Sequence, residues 1–176
     1  NLCEGDRFTF TADEIEGNEK KVSVNYKDLP NDLSAGDKIL LNNGLLSFEV
    51  ISTTKTDVNC KVLVGGELSD RKSMSFPNKT LKQIYLSEQD KQDILFGIQH
   101  DIDFIACSFV SCKQDLLDVK KFLKENNADG IGIIAKIENM QGVDNFNEIL
   151  QHAYGIMVAR GDMGVEVDFE KLPGIQ

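Results

Sequence analysis

From Asn1 to about Lys82, apolar side chains recur at every second position. Phe8 and Phe10, Val22 and Val24, Ile39 and Leu41, then Leu46, Phe48 and Val50, and finally Val58, Cys60, Val62 and Val64 form successive runs of this kind. A period of two belongs to strands with one buried face. Turn residues separate the runs: Asn43-Gly44 has the chemistry of a type I′ hairpin turn, and Gly36-Asp37 and Gly65-Gly66 punctuate its neighbours. Short strands at this spacing predict a small antiparallel β-barrel or sandwich over residues 1–82.

Beyond a linker at about Phe76 to Tyr85 the period lengthens. Ser87-Glu88-Gln89-Asp90 resembles a capping box, and Ile94, Leu95 and Ile98 follow at helical spacing. Ile102 to Phe109 is an apolar run of strand length, followed by a helical stripe of Leu116, Val119, Phe122 and Leu123. The cycle repeats with a strand over Ile131 to Ile137, a helix carrying Val143, Phe146, Ile149 and Leu150, and a strand over Gly155 to Ala159. Strands alternating with helices imply right-handed crossovers and a parallel sheet. Residues 83–176 are therefore read as three strands of a partial (β/α)8 barrel, giving a chain that is all-β first and α/β second. Three strands leave such a barrel open, so exposed apolar faces are expected, with association or marginal stability of the piece made alone. The start at Asn1 and the stop at Gln176, where a new helix begins, read as a segment of something longer.

Composition narrows the function. With 41% hydrophobic and 27% charged residues, the 176-residue chain has material for a core and no low-complexity tract. A formal net charge of -10 argues against a nucleic-acid or anionic-membrane surface. No apolar stretch reaches the roughly 20 residues that span a bilayer, and no signal-peptide pattern opens the chain, so a cytoplasmic location is expected. Cys3, Cys60, Cys107 and Cys112 form no C-x-x-C pair and are read as free, mostly structural thiols. His100 and His152 fall near predicted helix ends, where the last carbonyls account for them.

The charged ends of the last two strands carry the chemistry. In Ala135-Lys136-Ile137-Glu138-Asn139, period two puts Lys136 and Glu138 on one face. Burying such a pair without partners costs several kcal/mol, which favours the barrel mouth with a metal and a ligand over the packed wall. A structural salt bridge at a strand end is the competing account. In Ile156-Met157-Val158-Ala159-Arg160-Gly161-Asp162, Gly161 permits a turn that aims successive N–H groups at an anion, and Asp162 can accept a hard cation. Asp162 as a simple helix N-cap is the alternative, and an Arg-Gly-Asp adhesion triplet would need an exposed extracellular loop. About one β-to-α repeat separates Glu138 from Asp162, so both carboxylates can share one mouth and one divalent cation. Arg71-Lys72, after Gly65-Gly66, is the best basic pair of the first region, for phosphate oxygens or for a solvated turn. Ser108-Phe109 ends the first barrel strand and can line the same mouth.

These motifs resemble the pyruvate kinase family over the whole chain. A-K-I-E-N, D-N-F-N-E-I-L and G-I-M-V-A-R-G-D-M-G-V-E are similar to that family's most distinctive stretch. V-N-Y-K-D-L, G-D-K-I-L-L-N-N-G-L and G-G-E-L-S-D-R-K are similar to the small β-domain inserted into its barrel, expected to act as a lid over the nucleotide. The resemblance implies transfer of the phosphoryl group of phosphoenolpyruvate to ADP, giving pyruvate and ATP, with Mg2+ (or Mn2+) and usually K+, whose ligands lie outside this chain. It implies Lys136 as the lysine that stabilises the transferring phosphoryl and the enolate, and Glu138 and Asp162 as metal ligands. The Ala159, Arg160, Gly161, Asp162 segment is implied to hold the substrate carboxylate, and a homo-oligomer, a tetramer, is implied for the intact protein. Asn42-Asn43-Gly44 stands where the family usually reads D-D-G, and Lys72-Ser73-Met74-Ser75 where it often reads K-G-V-N. Two other readings compete: a magnesium-dependent aldolase or lyase of the phosphoenolpyruvate and pyruvate barrel group, and a nucleotide-binding module without turnover.

Overall fold

The computed structural model describes residues 1–77, 79, 81–167 and 169–176; Asn78 and Thr80 of the linker, and Asp168 near the C-terminus, lie outside the described residues. Two compact units are present, Asn1–Gln83 and Ile84–Gln176.

The first unit contains β1 (Arg7–Thr11), β2 (Lys21–Ser23), the short helix α1 (Leu29–Asp32), β3 (Lys38–Leu41), β4 (Leu46–Thr53), β5 (Asp57–Val64) and β6 (Met74–Ser75). The strands form one sheet in the order β2-β1-β5-β4-β3-β6. Pairing is antiparallel from β1 through β5, β4 and β3 to β6, but β1 and β2 run parallel. This departs from the all-antiparallel expectation. Residues 12–20 carry the chain back beside the start of β1 instead of reversing it in a tight turn. Asn18 closes that return, its side-chain oxygen accepting from the N–H groups of Lys20 and Lys21.

The period-two residues face inward as their spacing requires. Phe8, Phe10, Ile39, Leu41, Leu46, Phe48, Val50, Val58, Cys60 and Val62 are all buried, whereas Val64 at the end of β5 is exposed. The rings of Phe8, Phe10 and Phe48 meet at centroid distances of 5.2 to 5.9 Å, an arrangement that adds about 0.5–1.5 kcal/mol per pair beyond area burial. Leu29 and Leu33 of the α1 segment complete this core. The hairpin between β3 and β4 turns at Asn43 and Gly44, with φ of 57° and 82°, and the Leu45 N–H donates to the Asn42 carbonyl at 3.3 Å. Positive φ at both central positions is the type I′ signature.

At the β1–β2–β5 edge, Thr11 is fully buried opposite Asp57, and the Lys21 ammonium lies 2.9 Å from the Asp57 carboxylate. Hydrogen bonding from Thr11, then from Lys21, holds the Asp57 carboxyl below the usual carboxylate range.

The second unit contains α2 (Glu88–Gln99), β7 (Phe104–Cys107), α3 (Lys113–Glu125), β8 (Gly132–Ile137), α4 (Met140–Asp144), α5 (Phe146–Leu150), β9 (Gly155–Val158) and α6 (Arg160–Glu166). A 3-10 turn, Phe169–Lys171, then leads into α7 (Leu172–Ile175). Ser87 caps α2 through a reciprocal box with Asp90. The three strands form a parallel sheet, β7-β8-β9, so all their C-terminal ends lie at one edge. Ile133, Ala135 and Ile137 of β8 are buried in one cluster with Leu116, Val119 and Leu123 of α3 and Ile149 of α5. One helix was expected over Val143 to Leu150; the chain instead breaks at Asn145 between α4 and α5, where the Asn145 amide donates to the Ser111 carbonyl at 2.9 Å. Phe104, Met157 and Val158 on the outer strands are exposed, as an open sheet requires. No described helix is long and apolar enough to cross a membrane.

Two outcomes follow from these cores. Phe48→Ala removes the ring at the centre of the first unit and is expected to lower its unfolding free energy by about 3–5 kcal/mol in urea titrations. Because Asp57 has a depressed folded pKa, its stabilisation is complete above the unfolded value of about 3.9 and fades as pH falls through the folded one. Thermal melts from about pH 5 downward should show a loss for the wild type that Asp57→Asn flattens.

Candidate functional site

The parallel register of β8 with β9, ending at the pair Ile137 and Val158, sets the site at the strands' C-terminal edge. Lys136 alternates with the buried residues of β8 and lies on the face away from the helices, its side chain 20% exposed. Glu138, the first residue past the strand, is completely buried. The two meet at 2.6 Å between Lys136 Nζ and Glu138 Oε1. That approach is an ion pair without hydrogen-bond alignment, so Oε1 has no hydrogen-bond partner. The other oxygen, Oε2, accepts from the Phe109 N–H at 2.6 Å. The Lys136 ammonium in turn donates to Ser108 Oγ at 2.7 Å.

A network holds the loop after β7 against this pair. The Val110 N–H donates to the Lys136 carbonyl at 3.3 Å, and the Tyr85 hydroxyl to the Ser108 carbonyl at 2.7 Å. The Asn139 side chain caps α4 by accepting from the Gly142 N–H, and its amide donates to Ser111 Oγ at 3.1 Å. Gly142 is required by close approach: a Cβ there would stand 2.5 Å from the Val110 carbonyl oxygen. Phe109 takes a left-handed φ of 54°, an uncommon conformation for a bulky residue. Beneath the loop, burial pushes the Cys107 thiol up to about 11 and the Tyr85 phenol far above its ordinary range.

Asp162 lies in the first turn of α6, whose N-cap is Ala159. The N-cap reading of Asp162 is thereby corrected. So is the expected special turn at Gly161, which sits inside the helix with ordinary φ. A helix start supplies the same free N–H groups without a left-handed residue. The Ala159 N–H donates to the Ile137 carbonyl at 3.2 Å, which ties the start of α6 to the end of β8. Arg160 and Gly161 are exposed.

Arg71 and Lys72 belong to the first unit, exposed ahead of β6, with Arg71 at a left-handed φ of 56°. Neither makes an ion pair among the described residues. Among the described residues no group of three or more His, Cys, Asp or Glu could hold a metal. A divalent magnesium ion needs only one or two protein carboxylates, since substrate and water oxygens complete its shell. Oε1 of Glu138, ion-paired with Lys136 but without a hydrogen bond, fits that requirement, because such a buried carboxylate oxygen retains an acceptor site for a hard cation.

The spacing of Lys136 and Glu138 was readable from the sequence, but the clamp on them was not. Nothing marks phenylalanine as left-handed, and Asn139, Asn145 and Ser111 become partners only when the loops fold together. Serines and asparagines directly after strand ends were the available signal.

The family described as pyruvate kinase, barrel domain, matches residues 1–176. The pyruvate kinase of Clostridium perfringens (strain 13 / Type A) is 43% identical over 176 residues, covering 99% of this chain and 37% of the relative. That of Staphylococcus haemolyticus (strain JCSC1435) is 42% identical over 177 residues, covering 99% of this chain and 30% of the relative. The crystal structure of a pyruvate kinase from Cryptosporidium parvum superposes with a TM-score of 0.85 at 34% identity, over 98% of this chain and 36% of that one. The chain thus spans about a third of the length of the relatives it matches.

Replacing Lys136 tests the balance of charge at the site. Lys136→Met leaves a buried carboxylate facing no cation and is expected to cost the second unit about 3 kcal/mol in urea unfolding, since removing one partner of a buried pair exposes the desolvation penalty of the other.

Proposed function

The chain belongs to the pyruvate kinase family, and from that premise we propose that it forms part of an enzyme moving the phosphoryl group of phosphoenolpyruvate to ADP, giving pyruvate and ATP. The first unit corresponds to the small β-barrel that acts as a lid, and the second to three strands of the (β/α)8 barrel. The observation that carries this reading is the Lys136 ammonium 2.6 Å from the fully buried Glu138, at the strand edge where a parallel barrel builds its active site.

Phosphoryl transfer demands positioning and charge neutralisation more than covalent help from the protein. Lys136 is assigned to the oxygen bridging phosphorus and the enol carbon, where negative charge develops as the P–O bond breaks and a new bond forms to the β-phosphate oxygen of ADP. Its ammonium then faces the enolate, which takes up a proton to become pyruvate. The Ala159 to Asp162 segment is assigned to the substrate carboxylate through the N–H groups of Arg160, Gly161 and Asp162, and Arg160 adds positive charge beside them. Glu138 and Asp162 would hold magnesium, which when bound neutralises charge on the phosphoryl and carboxylate oxygens. Arg71 and Lys72 are assigned to the phosphates of the nucleotide.

The test is pyruvate formation from phosphoenolpyruvate, ADP and magnesium by the full-length gene product. Lys136→Ala should lower turnover by about 10²–10³-fold or more, the scale of removing one charge-stabilising donor. The 176-residue chain alone should be inert. Turnover indifferent to Lys136 would remove the assignment.

A further inference from the structure

The ammonium of Lys136 carries three N–H groups. One is taken by Ser108 Oγ at 2.7 Å, and the side chain also faces Glu138 Oε1 at 2.6 Å. A lysine stem has many rotamers, and an ion pair without hydrogen-bond alignment does not select one of them. The Ser108 hydroxyl supplies the directional contact that the carboxylate lacks.

The position of Ser108 is fixed by groups other than its hydroxyl. Its carbonyl accepts from Tyr85, and the loop after it is tied down by Val110 to the β8 backbone and by Asn145 to the Ser111 carbonyl. Ser108 is itself exposed, so its hydroxyl needs no protein partner to avoid a burial penalty. Its neighbour Phe109 holds a left-handed backbone while the residue is 45% exposed. Burial of the ring therefore does little to offset the conformation. In this conformation the Phe109 N–H donates to Glu138 Oε2 at 2.6 Å.

We infer that Ser108 is a positioning residue: its hydroxyl holds the Lys136 ammonium in register while the Phe109 N–H fixes the carboxylate opposite, so that two consecutive residues aim the pair. The catalytic half of this inference rests on the reading given under Proposed function; the structural half does not. Ser108→Ala deletes the hydroxyl and leaves every backbone tie of the loop in place, and Ser108→Thr restores a hydroxyl.

The experiment compares the full-length wild type, Ser108→Ala and Ser108→Thr in two readouts. The first is kcat and KM for phosphoenolpyruvate with ADP and magnesium. The second is the rate of Lys136 modification by trinitrobenzenesulfonate, read by peptide mass spectrometry. Ser108→Ala is expected to lower kcat roughly tenfold with KM changed less than about twofold, and to raise Lys136 labelling several-fold. Ser108→Thr should return both toward wild type. Unchanged kcat and labelling in Ser108→Ala, an effect confined to KM, or a threonine variant that behaves as the alanine one would overturn the inference. A wild type without turnover would overturn the kinase reading, and the labelling ratio alone then decides whether Ser108 holds Lys136.

Discussion

The second unit is organised around one unfavourable act, the complete burial of the Glu138 carboxylate. An ionised group removed from water must be met by a cation or by donors. Lys136 meets one oxygen and the Phe109 N–H the other. The second answer depends on the parallel pairing of β7 with β8, which brings the loop after one strand beside the end of the next. The asparagines, the Ser111 contacts and the close approach at Gly142 are the means by which that loop stays there.

The scaffold and the site divide the two faces of β8. Ile133, Ala135 and Ile137 anchor the strand to α3 and α5, so Lys136 has only the opposite face to occupy. The same parallel geometry carries β9 out at the same edge and starts α6 there, with Asp162 in its first turn. A sheet whose strands all end together thus gathers a lysine, two carboxylates and a set of free N–H groups at one edge, although they are far apart in the chain. The first unit follows a different principle. Its core is a period-two face closed by three phenylalanine rings, and its polar residues serve turns and sheet edges, as Asn18 and the Asp57–Lys21 pair do.

Much of this was legible in the residues. Alternation located the first five strands of the first unit but not β6, Asn43-Gly44 marked its central hairpin, and Ser87 with Asp90 the start of α2. The departures are places where the folded backbone overrides a local pattern. The stripe from Val143 to Leu150 is interrupted at Asn145, whose side-chain amide donates to the Ser111 carbonyl. The β1–β2 pairing is parallel because a loop folds the chain back, which no alternation records. Gly161 reads as a turn residue and is helical because α6 starts directly at Arg160.

The sequence by itself determined which residues have two faces and what chemistry each strand ends in, because hydrophobic period and side-chain type are properties of neighbours along the chain. It put Lys136 and Glu138 on one side of a strand and Asp162 one repeat later. Only the tertiary structure decided that Phe109 would adopt a left-handed backbone, that Ser108 would take the lysine, and that one oxygen of Glu138 would be left without a hydrogen bond. Those are contacts between segments about 30 residues apart. Their energies depend on distances and angles of tenths of an ångström and a few degrees, which local patterns do not encode.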